Sequence, residues 1–245
     1  MLLNTHDNLL PQVSSEIDRL QAKHAILIGG LGSLSASVEA DIKAKGLDIT
    51  RLSGPTRYDT SVSIANQIGN NGEIIITTGT DFSDGLSAAP MAAKDGIPMI
   101  LVPKDTVPDA VVNYLKANNQ ITKTIVLGDT DVISDNVANQ FPGVQRITGK
   151  DKFGRNINII NEFSDDINFS KVCVASGDNF PDALSGTAYC ALNSEPMVLV
   201  SNKGVPPVTK SFITSKLGII TETDVLGGQA SVGDSILISM LSQTN

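Results

Sequence analysis

Apolar residues along this chain come in short, nearly continuous runs separated by longer segments of helical period. Glu73-Ile-Ile-Ile-Thr77, Pro98-Met-Ile-Leu-Val102 and Lys123-Thr-Ile-Val-Leu127 are apolar almost throughout, and Ile49–Leu52 reads the same way. Unbroken rather than alternating runs are the mark of parallel strands covered on both faces. Between them the spacing predicts helices over Arg57–Ile68, Ser83–Lys94, Pro108–Ala117 and Ser134–Gln140. In the first, Ser61, Ile64, Ala65 and Ile68 recur on one face. Ser83 reads as an N-cap, and in a later segment Pro181 falls at the first helical position. Strand and helix alternating through loops of a few residues means right-handed crossovers and an open parallel sheet. The expected class is α/β: small parallel sheets flanked by helices, three-layered and Rossmann-like.

The pattern repeats. Thr78-Gly-Thr-Asp-Phe-Ser-Asp-Gly-Leu-Ser-Ala-Ala-Pro90 returns 98 residues later as Ser176-Gly-Asp-Asn-Phe-Pro-Asp-Ala-Leu-Ser-Gly-Thr-Ala188. Pro98-Met-Ile-Leu-Val102 likewise returns as Pro196-Met-Val-Leu-Val200. Arg51-Leu-Ser-Gly-Pro-Thr-Arg-Tyr58 answers Arg146-Ile-Thr-Gly-Lys-Asp-Lys-Phe153. A third block occurs three times, at Ile26–Gly30, Ile125–Asp129 and Asp224–Gly228. The chain thus divides into the back half of one repeat (1–50) and two full repeats (51–145 and 146–245). Phe141-Pro-Gly-Val144 joins the full repeats without a flexible spacer, so they are expected to pack on one another. Met1-Leu-Leu3 aligns with Met99-Ile-Leu101 and is expected to be a strand. Its exposed edge would then favour a companion fragment carrying the rest of the first repeat, or a second copy of the chain.

With 245 residues, 41% of them hydrophobic, the chain has material for sizeable cores. Its longest apolar runs fall well short of the ~20 residues that a membrane span needs. The N-terminus lacks the basic-then-apolar layout of a signal peptide. A net charge of −8 argues against nucleic acid or an anionic membrane as the general partner, without excluding a local basic site. Cys173 and Cys190 stand where the preceding repeat has Ile75 and Ala92, and so read as small buried hydrophobes. His6 and His24 have no partner at ligand spacing, and no metal or cofactor motif appears.

Candidate chemistry lies at the carboxyl ends of the strands, where open α/β sheets take their ligands. In the middle repeat those ends are Gly54–Arg57, Gly79–Phe82, Pro103–Asp105 and Gly128–Asp131. Asp84 and Asp182 fall in a first helical turn, where a carboxylate is stabilising in its own right. Asp81 and Asp178 lie in the preceding loop, as turn formers or as acceptors for sugar hydroxyls. Arg51 and Arg146 end strands and can brace contacts between repeats or meet a ligand. Arg57 opens a helix, where the dipole disfavours a cation; Asp59, an acid of a neighbouring repeat or a ligand phosphate would answer it. Lys104 and Lys203, at matching places after a strand, are candidates for the same ligand. Enzyme readings find little support: there is no GxGxxG, P-loop or GxSxG, and neither histidine recurs in the repeat. Asp129-Thr-Asp131 has the form of a metal pair, but Gly30-Leu-Gly32 and Gly228-Gln-Ala230 replace it in the other copies. Repeated weak binding, summed by avidity, suits the pattern better.

Taken together these blocks resemble the type 2 cell-wall-binding repeat of Gram-positive surface-layer and cell-wall proteins. The family's Arg-x-x-Gly-x-x-Arg-Tyr-x-Thr block is met by Arg51, Gly54, Arg57, Tyr58 and Thr60. Its Gly-Asp-x-Phe-x-Asp-Ala-Leu-Ser block is met by Gly177, Asp178, Phe180, Asp182, Ala183, Leu184 and Ser185. Its Pro-x-x-Leu strand is present too, and its Ile-x-Gly-Gly turn is met by Ile28, Gly29 and Gly30, followed by Ser33 or Ser35. The resemblance implies tandem repeats about a pseudo-three-fold axis, not themselves catalytic, holding a secreted protein to the cell wall by an anionic secondary polysaccharide. With the strand-end reading above, the ligand-binding candidates are Arg51, Arg57, Tyr58, Asp81, Lys104, Arg146, Asp178 and Lys203. The alternatives are a structural or self-assembly scaffold, and a targeting module for a cell-wall hydrolase. The last repeat departs from the pattern with Lys152-Phe-Gly-Arg155 in place of Arg-Tyr-x-Thr.

Overall fold

The computed structural model describes residues 1–242. The chain opens with α1 (Pro11–Leu20), β1 (His24–Ile28), α2 (Ala36–Ala44) and β2 (Asp48–Leu52). Next come α3 (Arg57–Ile68), β3 (Glu73–Thr78), α4 (Ser83–Asp95), β4 (Met99–Val102), α5 (Asp109–Ala117), β5 (Lys123–Leu127), α6 (Asp135–Ala138) and β6 (Val144–Ile147). The remainder is α7 (Lys152–Glu162), a short 3-10 turn, β7 (Lys171–Ser176), α8 (Pro181–Asn193), β8 (Met197–Val200), α9 (Pro207–Lys216), β9 (Glu222–Leu226) and α10 (Asp234–Leu241). Among the described residues three small sheets result, in the orders β1-β2, β4-β3-β5-β6 and β8-β7-β9, and the pairings between these strands are all parallel. The expected α/β class, small parallel sheets flanked by helices, is what the chain adopts.

Two strands join a different sheet from the one the repeat suggested. Ile49–Leu52 was expected to open the middle repeat, but β2 pairs with β1, His24 opposite Asp48 through Ile28 opposite Leu52. The equivalent β6 pairs with β5 in the sheet before it. Each Arg-Leu/Ile-Ser/Thr-Gly block therefore closes the preceding sheet, and the sheets divide the chain at other places than the sequence blocks do. Met1–Leu3, expected as a strand, form none. Their counterpart β4 is held through β3, and among the described residues none ahead of β1 forms a strand for them to pair with.

The repeats share their cores. One face of the second sheet packs Ile74, Ile76, Ile100 and Val126 against Val62 and Ala65 of α3 and Val111 and Tyr114 of α5. The other face buries Ile75, Ile125 and Leu127 under Ala88, Met91 and Ala92 of α4, with Ile159 of α7 in the same cluster. Leu86, on another side of α4, is buried with Cys173, Ala175, Ala183 and Cys190 of the third sheet's layer. Thus α4 lies between two sheets, as the tight link predicted. Burial of each large aliphatic side chain here contributes about 1.5–3 kcal/mol, so the joined core resists independent movement of the two repeats. Both cysteines are buried free thiols, in line with their reading as core residues.

Smaller expectations need correction. On α3 the buried face is Ser61, Val62 and Ala65, whereas Ile68 is 55% exposed. Ser83 is not the cap of α4: it lies inside the first turn, fully buried, and Asp81 Oδ1 accepts its backbone N–H at 2.7 Å. Phe82 is the N-cap and supplies no side-chain hydrogen bond, while Asp81 closes an Asx turn just ahead of the helix, its side chain reaching two residues forward. Pro181 does open α8.

Candidate functional site

The two full repeats build the carboxyl edges of their sheets with the same local device. At α3, Thr56 is the N-cap, and Thr56 and Asp59 form a reciprocal capping box. Asp59 is thereby occupied with Thr56, and the helix-opening Arg57 turns elsewhere: its Nη1 donates to the Gly79 carbonyl at 2.5 Å. The Tyr58 ring lies against Gly79 so closely that a Cβ there would come within 2.7 Å of it. In the last repeat Asp151 caps α7, Lys152 Nζ donates to the Gly177 carbonyl at 2.6 Å, and the Phe153 ring covers Gly177 in the same way. Lys152-Phe153 thus reproduces the arrangement of Arg57-Tyr58 despite the departure in sequence. Only glycine admits the ring, which explains the fixed glycine after β3 and β7.

The predicted residues divide by what their side chains already hold. Arg51 donates from Nη1 to the Gly29 carbonyl at 2.7 Å and from Nε and Nη2 to Glu39. Arg146 does the same with the Gly128 and Ile133 carbonyls and with Asp135. Both guanidinium groups tie a strand end to the loop of the neighbouring strand and to the helix beyond. Asp178 is held on one oxygen by Lys152 at 2.9 Å and on the other by Ser201 Oγ and the Asn202 N–H. Burial pushes its carboxyl up, but the Lys152, Ser201 and Asn202 hydrogen bonds outweigh that and leave it below the ordinary range. Asp81 and Asp178 sit one position out of register: Gly79 matches Gly177, so Asp178 stands at the place of Thr80. In keeping with that offset, Asp81 closes an Asx turn ahead of α4 and Asp178 braces a loop.

Arg57, Lys104 and Lys203 are exposed at these edges, and none forms an ion pair among the described residues. Lys150, which the repeat did not single out because Pro55 stands in its place, is a fourth such cation. Two clefts lie at these edges, one beside Arg57 and one beside Lys150. One, of about 650 Å³, lies between the Gly29–Ser33 loop, the Gly54–Thr56 turn and Arg57, Thr60 and Ile64 of α3. Its counterpart, of about 310 Å³, is lined by Asp129, Asp131, Thr148, Gly149, Lys150 and Arg155.

The second cleft contains what sequence reading missed. Arg155 Nε reaches across to Asp84 of α4, with oxygens at 2.8 and 2.9 Å, and Asp129 lies 3.7 Å from its Nη1. Asp84 is fully buried, so it is the partner of a cation from the next repeat, where helix-dipole stabilisation alone was expected. Burial raises its carboxyl above the ordinary value, partly offset by Arg155. For Arg155, burial works downward and Asp84's hydrogen bond and charge more than compensate, so the guanidinium is raised. Beside this pair, Asn156 donates to Ser87 Oγ of α4 and to the Met197 carbonyl, and accepts from the Leu199 N–H. Asp84 and Arg155 are 71 residues apart, and Arg155 occupies the place of Thr60, so no repeated motif could have revealed the pair. Among the described residues no three His, Cys, Asp or Glu side chains gather where they could hold a metal ion. No described helix is long and apolar enough to cross a membrane.

Fold and edges together define a tandem-repeat α/β protein with exposed basic groups at the carboxyl ends of its small parallel sheets. The model of cell wall binding domain 2 (CWB2) matches residues 51–138 and again 146–237. The chain belongs to the CWB2 family; it is a cell wall binding module, and that binding implies a place at the cell surface. Among curated relatives, it is 28% identical over 216 residues to the N-acetylmuramoyl-L-alanine amidase LytC of Bacillus subtilis, covering 88% of this chain and 43% of that protein. It is 29% identical over 246 residues to the amidase enhancer of the same organism, covering 99% of this chain and 33% of the relative. The chain therefore spans less than half the length of either. Among solved structures, Cwp6 from Clostridium difficile superposes with a TM-score of 0.85 at 26% identity, over 99% of this chain and 40% of Cwp6. Cwp8 from the same organism shares the fold, with a TM-score of 0.83 at 21% identity, over 98% of this chain and 42% of Cwp8.

Proposed function

We propose that this chain anchors a secreted surface protein to the wall by binding an anionic secondary cell-wall polysaccharide along the carboxyl edges of its sheets and the clefts beside them. The observation that carries this reading is the set of exposed, ion-pair-free cations at those edges, Arg57, Lys104, Lys150 and Lys203, on a chain whose net charge is −8. In so acidic a chain, basic groups left without carboxylate partners, two of them (Arg57 and Lys150) lining open clefts, suit an external anion such as a phosphate-bearing glycan. Tyr58 and the unengaged oxygen of Asp81 would add sugar contacts, whereas Arg51, Arg146 and Asp178 support the edge from within. Several modest sites of this kind add by avidity. Incubation with purified walls, before and after the secondary polymer is stripped, tests the reading. Retention on intact walls and loss after stripping is expected; equal retention on both would replace it with a scaffold role.

The names of the two Bacillus relatives favour one further reading: that such a module targets a wall-lytic enzyme or its modifier. In that case the chain supplies location, not chemistry. Zymography checks this, with no lysis expected from the chain by itself.

A further inference from the structure

We propose that His6 is a titratable latch on the glycine-rich loop that walls the cleft beside Arg57, and that it strengthens this edge's hold on an anionic glycan in mildly acidic surroundings. The second half rests on the polysaccharide reading above; the first does not. Both ring nitrogens of His6 face oxygen acceptors: Nδ1 lies 2.5 Å from Asp7 Oδ1, and Nε2 lies 3.0 Å from the Leu31 carbonyl. A neutral imidazole carries one N–H and can answer only one of them, whereas the imidazolium donates to both. Leu31 belongs to the wall of the cleft, together with Gly29, Gly30, Gly32 and Ser33. Protonated His6 therefore ties that wall to Asp7 and adds a positive charge one hydrogen bond behind it, on the same cleft as Arg57.

The position follows the repeat, with the residue changed. Met1–Leu3 align with Met99–Leu101, so His6 stands at the place of Lys104. The His6 carbonyl accepts the Ser35 N–H at 3.0 Å, as the Lys104 carbonyl accepts the Ser134 N–H at 2.9 Å. Asn4 braces the segment: its Oδ1 accepts the Leu10 N–H, and its Nδ2 donates to the Asn8 carbonyl. The two loops differ in what fastens them. Gly128–Ile133 is held by Arg146, which donates to the Ile133 carbonyl, and by Asp129, which accepts the Gly149 N–H. The first loop has Gly30 in the place of Asp129, and among the described residues Arg51 reaches only the Gly29 carbonyl and Glu39. His6 supplies the fastening instead. Three glycines among residues 29–32 leave the released loop free to move. No residue from Gly29 to Ser35 is charged, so Asp7 is the ionised group facing the ring; Arg51 and Glu39 beyond the loop are paired with each other. The Asp7 hydrogen bond, followed by the Leu31 carbonyl, raises the imidazole above its ordinary value of 6.5, against a smaller lowering by burial. The latch is thus complete below the ordinary value and is lost as pH rises through the raised one.

Nitrogen NMR of the intact chain from about pH 5.5 to about pH 8.5 tests the latch, with both His6 ring nitrogens protonated at the acid end. The Gly30, Leu31 and Gly32 amides should move with the His6 midpoint, and Asp7→Asn should lower that midpoint. Titration with isolated wall polysaccharide tests the consequence. The parent chain should bind about threefold more tightly at about pH 5.5 than at about pH 8, the scale of one exposed charge. His6→Gln should abolish that difference and leave the melting temperature at the higher pH unchanged. Loop amides that ignore the His6 titration would overturn the latch, and so would a midpoint indifferent to Asp7→Asn. A His6→Gln chain that keeps the parent's pH dependence would overturn the binding role. Absence of binding at both pH values would remove the polysaccharide reading together with that role, and the loop titration would still decide the latch.

Discussion

At the cleft beside α3, the Gly29–Ser33 loop faces Gly54, and Thr60 Oγ1 accepts the Gly54 N–H at 3.1 Å. At the counterpart beside α7, Asp129 and Asp131 face Gly149, and Arg155 in the place of Thr60 reaches the buried Asp84. The frame is common to both: a left-handed glycine after the strand, an arginine closing the neighbouring strand end, a capped helix, and an aromatic ring over a second glycine. The filling differs with the neighbours. α7 has α4 beside it, and a charged residue pointed at α4 must find a partner there. Thr60, the residue of the family block at that place, bonds only its own turn, its Oγ1 accepting the Gly54 N–H and donating to the Thr56 carbonyl. The backbone device belongs to the repeat, whereas the charge belongs to the junction.

The largest effect should come from unmaking that difference. Asp84→Ala leaves Arg155, whose side chain is only 12% exposed, without its buried partner and should destabilise the chain by about 3–5 kcal/mol in denaturant unfolding. Combining it with Arg155→Met should recover most of the loss, since an apolar pair of similar volume can replace a buried ion pair. Thr60→Ala, at the other cleft, should cost only about 1 kcal/mol.

Next in size are the covered glycines. Gly79→Ala and Gly177→Ala push a Cβ into Tyr58 or Phe153 at 2.7 and 2.9 Å and should each cost about 1–3 kcal/mol by overpacking. Gly228→Ala, whose added Cβ meets nothing within 4 Å, should change stability by less than about 0.5 kcal/mol. If all three behave alike in thermal melts, the aromatic cover contributes nothing.

A smaller, pH-dependent effect belongs to Asp178. Its carboxyl is held below the ordinary value, so the folded state favours the ionised form and unfolding takes up a proton. Its contribution is therefore present above the ordinary carboxylate value of 3.8 and is lost as pH falls below it through the lowered folded value. Asp178→Asn should lower stability by about 1 kcal/mol at neutral pH, a figure limited by partial exposure of the Lys152 pair. The gap to the parent chain should close in acid.

Much of this was legible in the chain. Unbroken apolar runs such as Glu73–Thr77 and Lys123–Leu127 announced doubly covered parallel strands, and recurrence of the Gly-x-x-Phe block announced the edge. What escaped depended on partners rather than pattern. Met1–Leu3 have the composition of a strand and, among the described residues, no strand to pair with. Arg51 and Arg146 were visible as repeated residues, but their use inside the edge follows from β2 and β6 joining the preceding sheet. Asp84 read as a helix-turn acid because its partner lies on another repeat, at a position that does not repeat.

The central claim is that exposed cations at the sheet edges meet an anionic polymer. Its most direct test is titration of the isolated wall polysaccharide into the chain at low salt and at about 0.5 M salt, with the parent chain and with Arg57→Ala. Screening acts strongly on such exposed charges. Binding that weakens with salt, a further loss of about 1–3 kcal/mol for Arg57→Ala, and unchanged folding of the variant are expected. Salt-independent binding that leaves Arg57→Ala indistinguishable from the parent would contradict it and move recognition to neutral sugar contacts.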